Sequence, residues 1–422
     1  MQSVDCIVDN ISEFKRKALQ WATSFEVACF FDSNGYSDRY SSYTAIIAAG
    51  AKKEYLPPAG GAFSGLSAFL AANAAFTPGF ICYDLKNELE NLHSSNPDRL
   101  HFPDMYFFVP EHLLLIKENR VEILSDTASL LDEIHAVNPV PQKLNFAGKV
   151  QPSISRDSYI RKVDSIKEHI RRGDIYEMNF CQQFFSEDAD LDPLAAFVEL
   201  NQLSPAPFSS FFKLRDKYII SSSPERFIKK TGSKIISQPI KGTAPRGSEH
   251  KEDEELKRSL QENDKELAEN IMIVDLVRND LTKSAIPGSV KVEELCKIYS
   301  FQQVHQMIST VTSSVSNDTS LVSIISSAFP MGSMTGAPKV RAMELIEQFE
   351  ETKRGIYSGA VGYFTAGKDF DFNVVIRSLI YNQTNKYLSF QVGSAITFAS
   401  DAELEYAECI LKAKAMLDVL SK

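Results

Sequence analysis

The sequence lacks paired cysteines, a signal peptide and any long apolar run. Its six cysteines lie far apart with no C-x-x-C pair, which argues against a zinc site or a disulfide framework. The most apolar early stretch, residues 59 to 76, is interrupted by glycines, serines and an asparagine. It is shorter than the ~20 apolar residues that cross a bilayer, and no basic segment precedes an apolar one at the N-terminus. These absences predict a cytoplasmic protein that does not bind a membrane.

An excess of positive charge is also missing. The 422 residues include 45 Lys and Arg against 55 Asp and Glu, so the net charge is -10. Because binding the phosphates of nucleic acids requires a basic field, we expect no nucleic-acid partner. A small anionic substrate stays possible, since a few basic groups in a cleft can bind it. With 44% hydrophobic and 24% charged residues, the chain is typical of a globular enzyme of one or two domains.

The chain divides into two parts at a proline-rich segment. Residues 138 to 141 contain two prolines, which resist both helix and sheet, and we interpret them as a linker. Residues 1–140 form an N-terminal part rich in short strand-like runs, which we expect to be interwoven with the core. Residues 150–422 form the catalytic domain. Apolar spacing after Ser155 predicts a helix through about residue 172.

A lysine and a glutamate form the first candidate site. Residues 235 to 240 are typical of a strand, and Lys241 follows in a predicted turn that contains Gly242. Lys241 could be a nucleophile if burial lowered its pKa, and Glu225 could be a general acid if burial raised its pKa. The alternative is a surface lysine in a turn and a glutamate that caps a chain segment.

Two predicted helices carry further carboxylates. Residues 251 to 281 read as one long helix with Glu269 on a buried face, where a carboxylate needs a metal or a salt bridge. Residues 401 to 420 read as a helix with Leu404 and Leu411 facing a core. On another face, Glu405 and Glu408 lie one turn apart and could share a divalent cation. The alternative is a solvated face with an ion pair between Glu408 and Lys412.

Residues 331 to 339 and a later arginine form the last candidate site. Pro338 suits the first turn of a helix that runs to about residue 350, and the free N–H groups of such a start attract anions. Residues 371 to 380 and 387 to 397 predict a hairpin, with Arg377 on one face of the first strand. An arginine fork there would bind a carboxylate, although an edge arginine in a hairpin is the simpler interpretation.

Together these segments resemble the chorismate-utilising enzymes, which include anthranilate synthase, aminodeoxychorismate synthase, isochorismate synthase and salicylate synthase. The resemblance covers residues 156 to 422 and implies the α+β fold of anthranilate synthase component I, a two-sheet β-sandwich core surrounded by helices. It rests on ordered motifs: 173–176 (GDIY), 223–227 (SPERF), 268–270 (AEN), 275–280 (DLVRND), 335–339 (TGAPK), 376–377 (IR) and 405–408 (EYAE).

Within the family, the segment 239–243 (PIKGT) resembles aminodeoxychorismate synthase component I, which has a lysine where anthranilate synthases typically have an alanine. The resemblance implies that Glu225 protonates the departing ring hydroxyl while Lys241 forms a covalent adduct with the ring. It implies ammonia from a separate glutamine amidotransferase subunit. The product would be 4-amino-4-deoxychorismate, a precursor of p-aminobenzoate and folate.

The resemblance also assigns the binding residues. It implies Mg²⁺ held by Glu269 and Glu408 with Glu405 beside them. It implies contacts with chorismate from six further residues: Thr335, Tyr363, Arg377, Gly393, Ser394 and Lys412.

Two positions depart from the family pattern. Gln306 stands where many members have a histidine, and Ala395 replaces a glycine. Two other interpretations stay open: anthranilate synthase component I, and a catalytically silent chorismate-binding subunit.

Overall fold

Strands make the core of the molecule, and helices cover it. The computed structural model describes residues 2–36, 38–58, 60–139, 144–302 and 304–421, so half of the predicted linker at 138–141 lies outside the described residues. The strands are β1 Gln2–Ile7, β2 Val27–Asp32, β3 Ala45–Tyr55, β4 Thr77–Ile81, β5 Met105–Lys117, β6 Arg120–Ser125, β7 Gln151–Pro152, β8 Glu177–Ser186, β9 Phe208–Leu214, β10 Lys217–Ser223, β11 Arg226–Thr231, β12 Lys234–Gln238, β13 Ile240–Pro245, β14 Lys291–Ser300, β15 Val304–Ser314, β16 Gly336–Ala337, β17 Ala360–Phe364, β18 Phe370–Val374, β19 Ser378–Asn382 and β20 Tyr387–Ile396.

Eleven α-helices are interspersed among these strands along the described part of the chain. They are α1 Ile11–Ala22, α2 Ala62–Ala72, α3 Lys86–Leu89, α4 Leu130–Ala136, α5 Arg156–Arg171, α6 Pro193–Leu203, α7 His250–Gln261, α8 Asp264–Thr282, α9 Leu321–Ala328, α10 Lys339–Phe349 and α11 Ala402–Leu420. Within the residues that the structure describes, no helix is long and apolar enough to cross a membrane.

The strand β5 joins two sheets. All strand pairs are antiparallel, and β5 pairs with β3 on one edge and with β4 and β6 on the other. From β3, the first sheet continues through β2, β9, β10, β19, β20 and β8. From β4, the second continues through β17, β18, β11, β12 and β15, which also pairs with β13 and β14. The predicted α+β fold, a core of two sheets surrounded by helices, is confirmed, and strands from the first 140 residues belong to both sheets.

Side chains alternate between a layer that separates the two sheets and the layers beneath the helices. On β10, Ile219 packs with Val361 of β17 between the sheets, whereas Tyr218 and Ile220 face a cluster that includes α5, α6 and α11. A third cluster places α8 and α9 on the second sheet. Strands buried on both faces are near-continuous apolar runs, which explains why the sequence shows so little strict alternation.

The predicted helix after Ser155 is confirmed, and the predicted long helix at 251–281 is wrong. Ser155 caps α5 by accepting a hydrogen bond from the Ser158 backbone N–H at 3.2 Å. The long segment is two helices, α7 and α8, because the Asn263 side chain accepts hydrogen bonds from the N–H groups of Lys265 and Glu266 and starts a new helix.

The bounds of α11 are confirmed, but its predicted core face is wrong. Leu404 and Leu411 are each 70% exposed. The helix instead buries Cys409, Ala413 and Met416. Small and flexible side chains let it lie close to β20 and α5. Because the buried face differs from the predicted one, the Glu405 carboxylate points inward.

The predicted strand at 371–380 is also wrong. The chain leaves β18 after Val374 and enters β19 at Ser378, and the two strands pair with different neighbours. Arg377 lies in the break between them with φ +53°. The pairing of β19 with β20 confirms the second half of the predicted hairpin.

A buried ion pair stabilises the junction between β8 and the loop before β16. The Arg354 guanidinium donates to both carboxylate oxygens of Glu350 at 2.9 and 2.7 Å and to the carbonyls of Asn179 and Met334. It also lies 4.6 Å from the ring centroid of Tyr83. Such geometry satisfies a charge that would otherwise be costly to bury.

Replacing Arg354 with methionine should therefore lower the free energy of unfolding by about 3 to 5 kcal/mol, because Glu350 stays buried without its partner. Arg278→Met removes an exposed pair with Asp275 and should cost less than about 1 kcal/mol. Urea unfolding followed by circular dichroism measures both values. A loss below about 1 kcal/mol for Arg354→Met would contradict the assigned role.

Candidate functional site

Lys241 lies at the centre of a buried group of carboxylates. It is the second residue of β13, which is not the turn that the sequence predicts, and its side chain is 10% exposed. Its Nζ lies 2.8 Å from Glu177 Oε1. Burial alone lowers the pKa of Lys241, but the charges of Glu177 and Glu269 outweigh burial and raise the pKa above its ordinary value. The condition named for a nucleophilic lysine, a pKa lowered by burial, is therefore not met in this state, and the raised pKa favours the ammonium form of Lys241.

Glu177, the partner of Lys241, is a residue that the sequence analysis missed. It is the first residue of β8 and only 1% of its side chain is exposed. Its second carboxylate oxygen is buried and has no hydrogen-bond partner. The sequence carries no clear signal for it, because β8 also contains polar residues; the structure shows that the carboxylate opens a strand buried at nine of its ten positions, where it needs a cation.

Glu225 lies beside this pair at the end of β10, in the short link to β11. Burial raises the pKa of its carboxyl to about 7, while a hydrogen bond with Ser333 and the charge of Lys241 act in the opposite direction. Its backbone is fixed, because the Glu225 carbonyl accepts a hydrogen bond from Val374 N–H at 3.0 Å. A carboxyl with this pKa holds a proton for a substantial fraction of the time at neutral pH.

The carboxylates of α8 and α11 form a second group. Lys265 Nζ lies 3.1 Å from Glu405 Oε1 and 3.8 Å from Glu269 Oε1, and Lys412 Nζ lies 2.6 Å from Glu408 Oε1. Burial raises the pKa of Glu269 to about 7. Burial also acts to raise the pKa of Glu408, but Lys412 outweighs it and the pKa is lowered. Lys265 thus lies between Glu269 and Glu405, and Glu408 is close enough to Lys265 to interact with it electrostatically.

This group fits a hard divalent cation in its chemistry. Glu269 Oε1 and Glu405 Oε2 are buried oxygens without hydrogen-bond partners, and carboxylate oxygens are the ligands that Mg²⁺ prefers. Within the described ranges, however, no three acidic, His or Cys side chains are arranged around one point as they stand. The Lys265 ammonium group lies between the Glu269 carboxylate of α8 and the Glu405 carboxylate of α11.

Arg377 is a partly buried cation for which the described residues supply no paired anion. Burial lowers the pKa of its guanidinium, with small opposing contributions from Tyr357 and Glu408. In the part of the chain that the structure describes, its side chain forms no hydrogen bond or ion pair. A partly buried guanidinium in this state is suited to bind a carboxylate. Tyr357, which the sequence analysis missed, lies close enough to interact with it electrostatically.

Two more of the predicted binding residues lie near the carboxylates. Lys412 Nζ donates to the Gly393 carbonyl at 2.9 Å. A Cβ at Gly393 would lie 2.4 Å from Cys181 Sγ, so only glycine fits there. Thr335 is fully buried, and its hydroxyl donates to the Met331 and Gly332 carbonyls.

Two predicted binding residues are not brought to the Lys241 group, and these assignments are corrected. The Ser394 hydroxyl lies 3.2 Å from the Tyr159 hydroxyl in the core beneath α11, because successive residues of β20 point to opposite faces. The Tyr363 ring stacks on Phe76 and lines a separate cavity with Phe31 and Tyr43.

The two residues that depart from the family pattern, Gln306 and Ala395, lie on different strands, β15 and β20. Gln306 of β15 is buried and lies opposite Thr243, two residues beyond Lys241. The neighbouring His305 is occupied on both ring nitrogens, by Ser300 at 2.8 Å and Asp253 at 2.9 Å. Ala395 pairs with Asn179 across the β20–β8 ladder, so its methyl group is accommodated without loss of pairing.

Known proteins are similar to this chain in sequence, and solved structures are similar to it in fold. A profile of the chorismate binding enzyme family matches residues 27–418. Aminodeoxychorismate synthase component 1 of Bacillus subtilis is 34% identical over 356 residues, which cover 80% of this chain and 75% of that protein. The corresponding Escherichia coli protein is 35% identical over 82% of this chain and 76% of its own length. A probable chloroplastic aminodeoxychorismate synthase of rice is 36% identical, but this chain spans only 43% of it.

Solved structures show the same architecture. Anthranilate synthase component I of Streptococcus pneumoniae superimposes with a TM-score of 0.78 at 25% identity, over 90% of this chain and 93% of that one. The menaquinone-specific isochorismate synthase of Escherichia coli also gives a TM-score of 0.78, at 16% identity over 99% and 94% of the two chains. The family profile covers nearly the whole sequence, and the buried lysine and carboxylates lie within it. The chain therefore belongs to the chorismate binding enzyme family.

Proposed function

We propose that the protein is an aminodeoxychorismate synthase component I, which converts chorismate and ammonia to 4-amino-4-deoxychorismate. The observation that carries this proposal is the position of Lys241, a buried amine that lies 2.8 Å from Glu177 and interacts with Glu225. In this proposal Lys241 is the nucleophile, Glu225 is the proton donor and the partly buried Arg377 binds a carboxylate of the substrate. The relatives named aminodeoxychorismate synthase support this activity over others in the family.

Activation of Lys241 is the first requirement, since an ammonium ion has no lone pair to donate. Glu177 Oε1 already accepts a hydrogen bond from Nζ. Transfer of that proton to Glu177 leaves a neutral amine next to the ring. Because Nζ and Oε1 are already joined by a hydrogen bond of 2.8 Å, the proton passes directly between them without a water molecule.

Departure of the ring hydroxyl is the second requirement. Hydroxide is a poor leaving group, so Glu225 gives its proton to this oxygen as the carbon–oxygen bond breaks. The Lys241 Nζ lone pair forms a bond to a linked ring carbon, and the ring double bonds shift toward the carbon that loses water. The products of this half-reaction are water and a ring bound covalently to Lys241.

Ammonia completes the exchange. It adds to the carbon that lost the hydroxyl, the double bonds shift back, and the bond between the ring and Nζ breaks. The electrons of that bond return to the Lys241 amine, which regains a proton from Glu177. We propose that a glutamine amidotransferase subunit supplies the ammonia, and the name component 1 of two relatives supports the existence of a second component.

Arg377 and the carboxylates of α8 and α11 orient the substrate in this proposal. Arg377 binds the enolpyruvyl carboxylate, assisted by Thr335 and the backbone near Gly393. Glu269 and Glu408 would hold Mg²⁺, with Glu405 beside them. When bound, this ion would offset the charge of the ring carboxylate and fix its orientation. The orphaned oxygens of Glu269 and Glu405 support this assignment.

Incubation of the protein with chorismate, Mg²⁺ and an ammonium salt should yield a product with the mass of aminodeoxychorismate. High-resolution mass spectrometry and fluorescence of the reaction mixture distinguish the alternatives. Fluorescent anthranilate would support anthranilate synthase component I, an activity that a 32% identical relative from Saccharolobus solfataricus carries in its name. Unchanged chorismate in the presence of ammonium would support a silent subunit and contradict the proposal.

The pH dependence of kcat/KM should report the protonation of Glu225. Because burial raises its pKa to about 7, the acid form is lost as the pH rises, and kcat/KM should fall roughly tenfold per unit well above pH 7. The concentration of free ammonia is held constant across the series, since ammonium also titrates. Glu225→Gln should lose this limb and lower kcat by roughly 100- to 10,000-fold. A flat wild-type profile would rule out Glu225 as the proton donor.

A further inference from the structure

Lys265 occupies the position between the carboxylates of α8 and α11. It lies in the first turn of α8, and its Nζ reaches Glu405 on α11 at 3.1 Å and Glu269 on its own helix at 3.8 Å. The lysine side chain is 38% exposed, whereas both carboxylates are nine-tenths buried or more. A single partly exposed cation thus lies against two buried carboxylates and joins two helices.

The ammonium group satisfies these carboxylates only in part. Glu269 Oε1 is within ion-pair distance of Nζ but accepts no hydrogen bond, and Glu405 Oε2 is buried without any partner. Buried charged oxygens without hydrogen bonds are costly. A divalent cation carries twice the charge and binds several oxygens at once. It would therefore satisfy this group better than one ammonium does.

Lys265 is also the lysine that is free to leave. Lys412 is fixed by the Gly393 carbonyl as well as by Glu408, and Lys241 is buried against Glu177. Lys265 has a flexible stem at the start of a helix and open solvent beside it. Two cations cannot lie close together in a buried site without strong repulsion. A bound divalent ion and the Lys265 ammonium are thus alternatives.

We propose that Lys265 is an internal counterion that holds the metal site closed and is displaced into solvent when a divalent cation binds. This inference rests on the metal site of the proposed function. In the absence of metal, the lysine stabilises the two helices. During metal binding, it competes for Glu269 and Glu405 and so weakens the apparent affinity for Mg²⁺.

The test compares Lys265→Met with the wild-type protein in the absence of chorismate. Methionine keeps the apolar stem and removes the charge. Isothermal titration with Mg²⁺ should show about tenfold tighter binding to Lys265→Met, because the competing cation is gone. In a chelating buffer, the same variant should melt several degrees below the wild type, and saturating Mg²⁺ should remove this difference.

Two further variants serve as controls. Lys265→Arg keeps the charge and should bind Mg²⁺ no more tightly than the wild type. Lys257→Met on α7 removes a lysine of similar exposure, 35%, from a pair with Glu254 outside the site. It should change neither the Mg²⁺ affinity nor the melting temperature in chelator.

The outcomes separate the inference from the function on which it rests. Equal or weaker Mg²⁺ binding by Lys265→Met would overturn the competition, and the metal site would stand. Absence of Mg²⁺ binding in both proteins would overturn the metal site and the inference with it. Tighter binding with a lower melting temperature in chelator would support both.

Discussion

The contact between the Lys241 ammonium and the Glu177 carboxylate determines most of what this site can do. A lysine ammonium that is almost fully buried needs an anion, and the first residue of β8 supplies it at 2.8 Å. The same contact that raises the pKa of Lys241 also provides the nearest base for its proton. In the proposed mechanism, the amine is stored in its charged form and becomes a nucleophile when one proton moves along this hydrogen bond to Glu177.

Pairs of lysine and glutamate recur around this contact. Glu177 pairs with Lys241 and Glu408 pairs with Lys412. Lys265 lies against both Glu269 and Glu405. Helices α8 and α11 and strands β8 and β13, which are distant in sequence, meet here, so the buried charges need partners where these elements come together. Arg377 is the exception, because the described residues supply no paired anion for this partly buried cation. Three lysines lie against four glutamates in the contacts above, so the carboxylates are only partly balanced, and Arg377 adds a positive charge where a substrate carboxylate would bind.

The sequence predicted those features that depend on local pattern. The cap at Ser155, the bounds of α11 and the carboxylates Glu225 and Glu269 were accessible from motifs and periodicity. The partner of Lys241 was not, because Glu177 lies 64 residues away and the pairing arises only when β8 and β13 pack. The buried face of α11 was predicted wrongly, because the large apolar side chains of Leu404 and Leu411 suggested a core face. The helix instead buries the smaller side chains of Cys409 and Ala413. The break at Asn263 was missed because one capping side chain interrupts an otherwise continuous helical periodicity.

The covalent role of Lys241 is the claim on which the mechanism depends. The direct measurement is the intact mass of the protein after mixing with chorismate and Mg²⁺ while ammonia is withheld, followed by peptide mapping. The account predicts a mass increase of one chorismate less one water, located on Lys241 and absent from Lys241→Ala. It also predicts that ammonium salt removes this increase. Formation of aminodeoxychorismate by Lys241→Ala at the wild-type rate, with no modified lysine in the wild type, would contradict it.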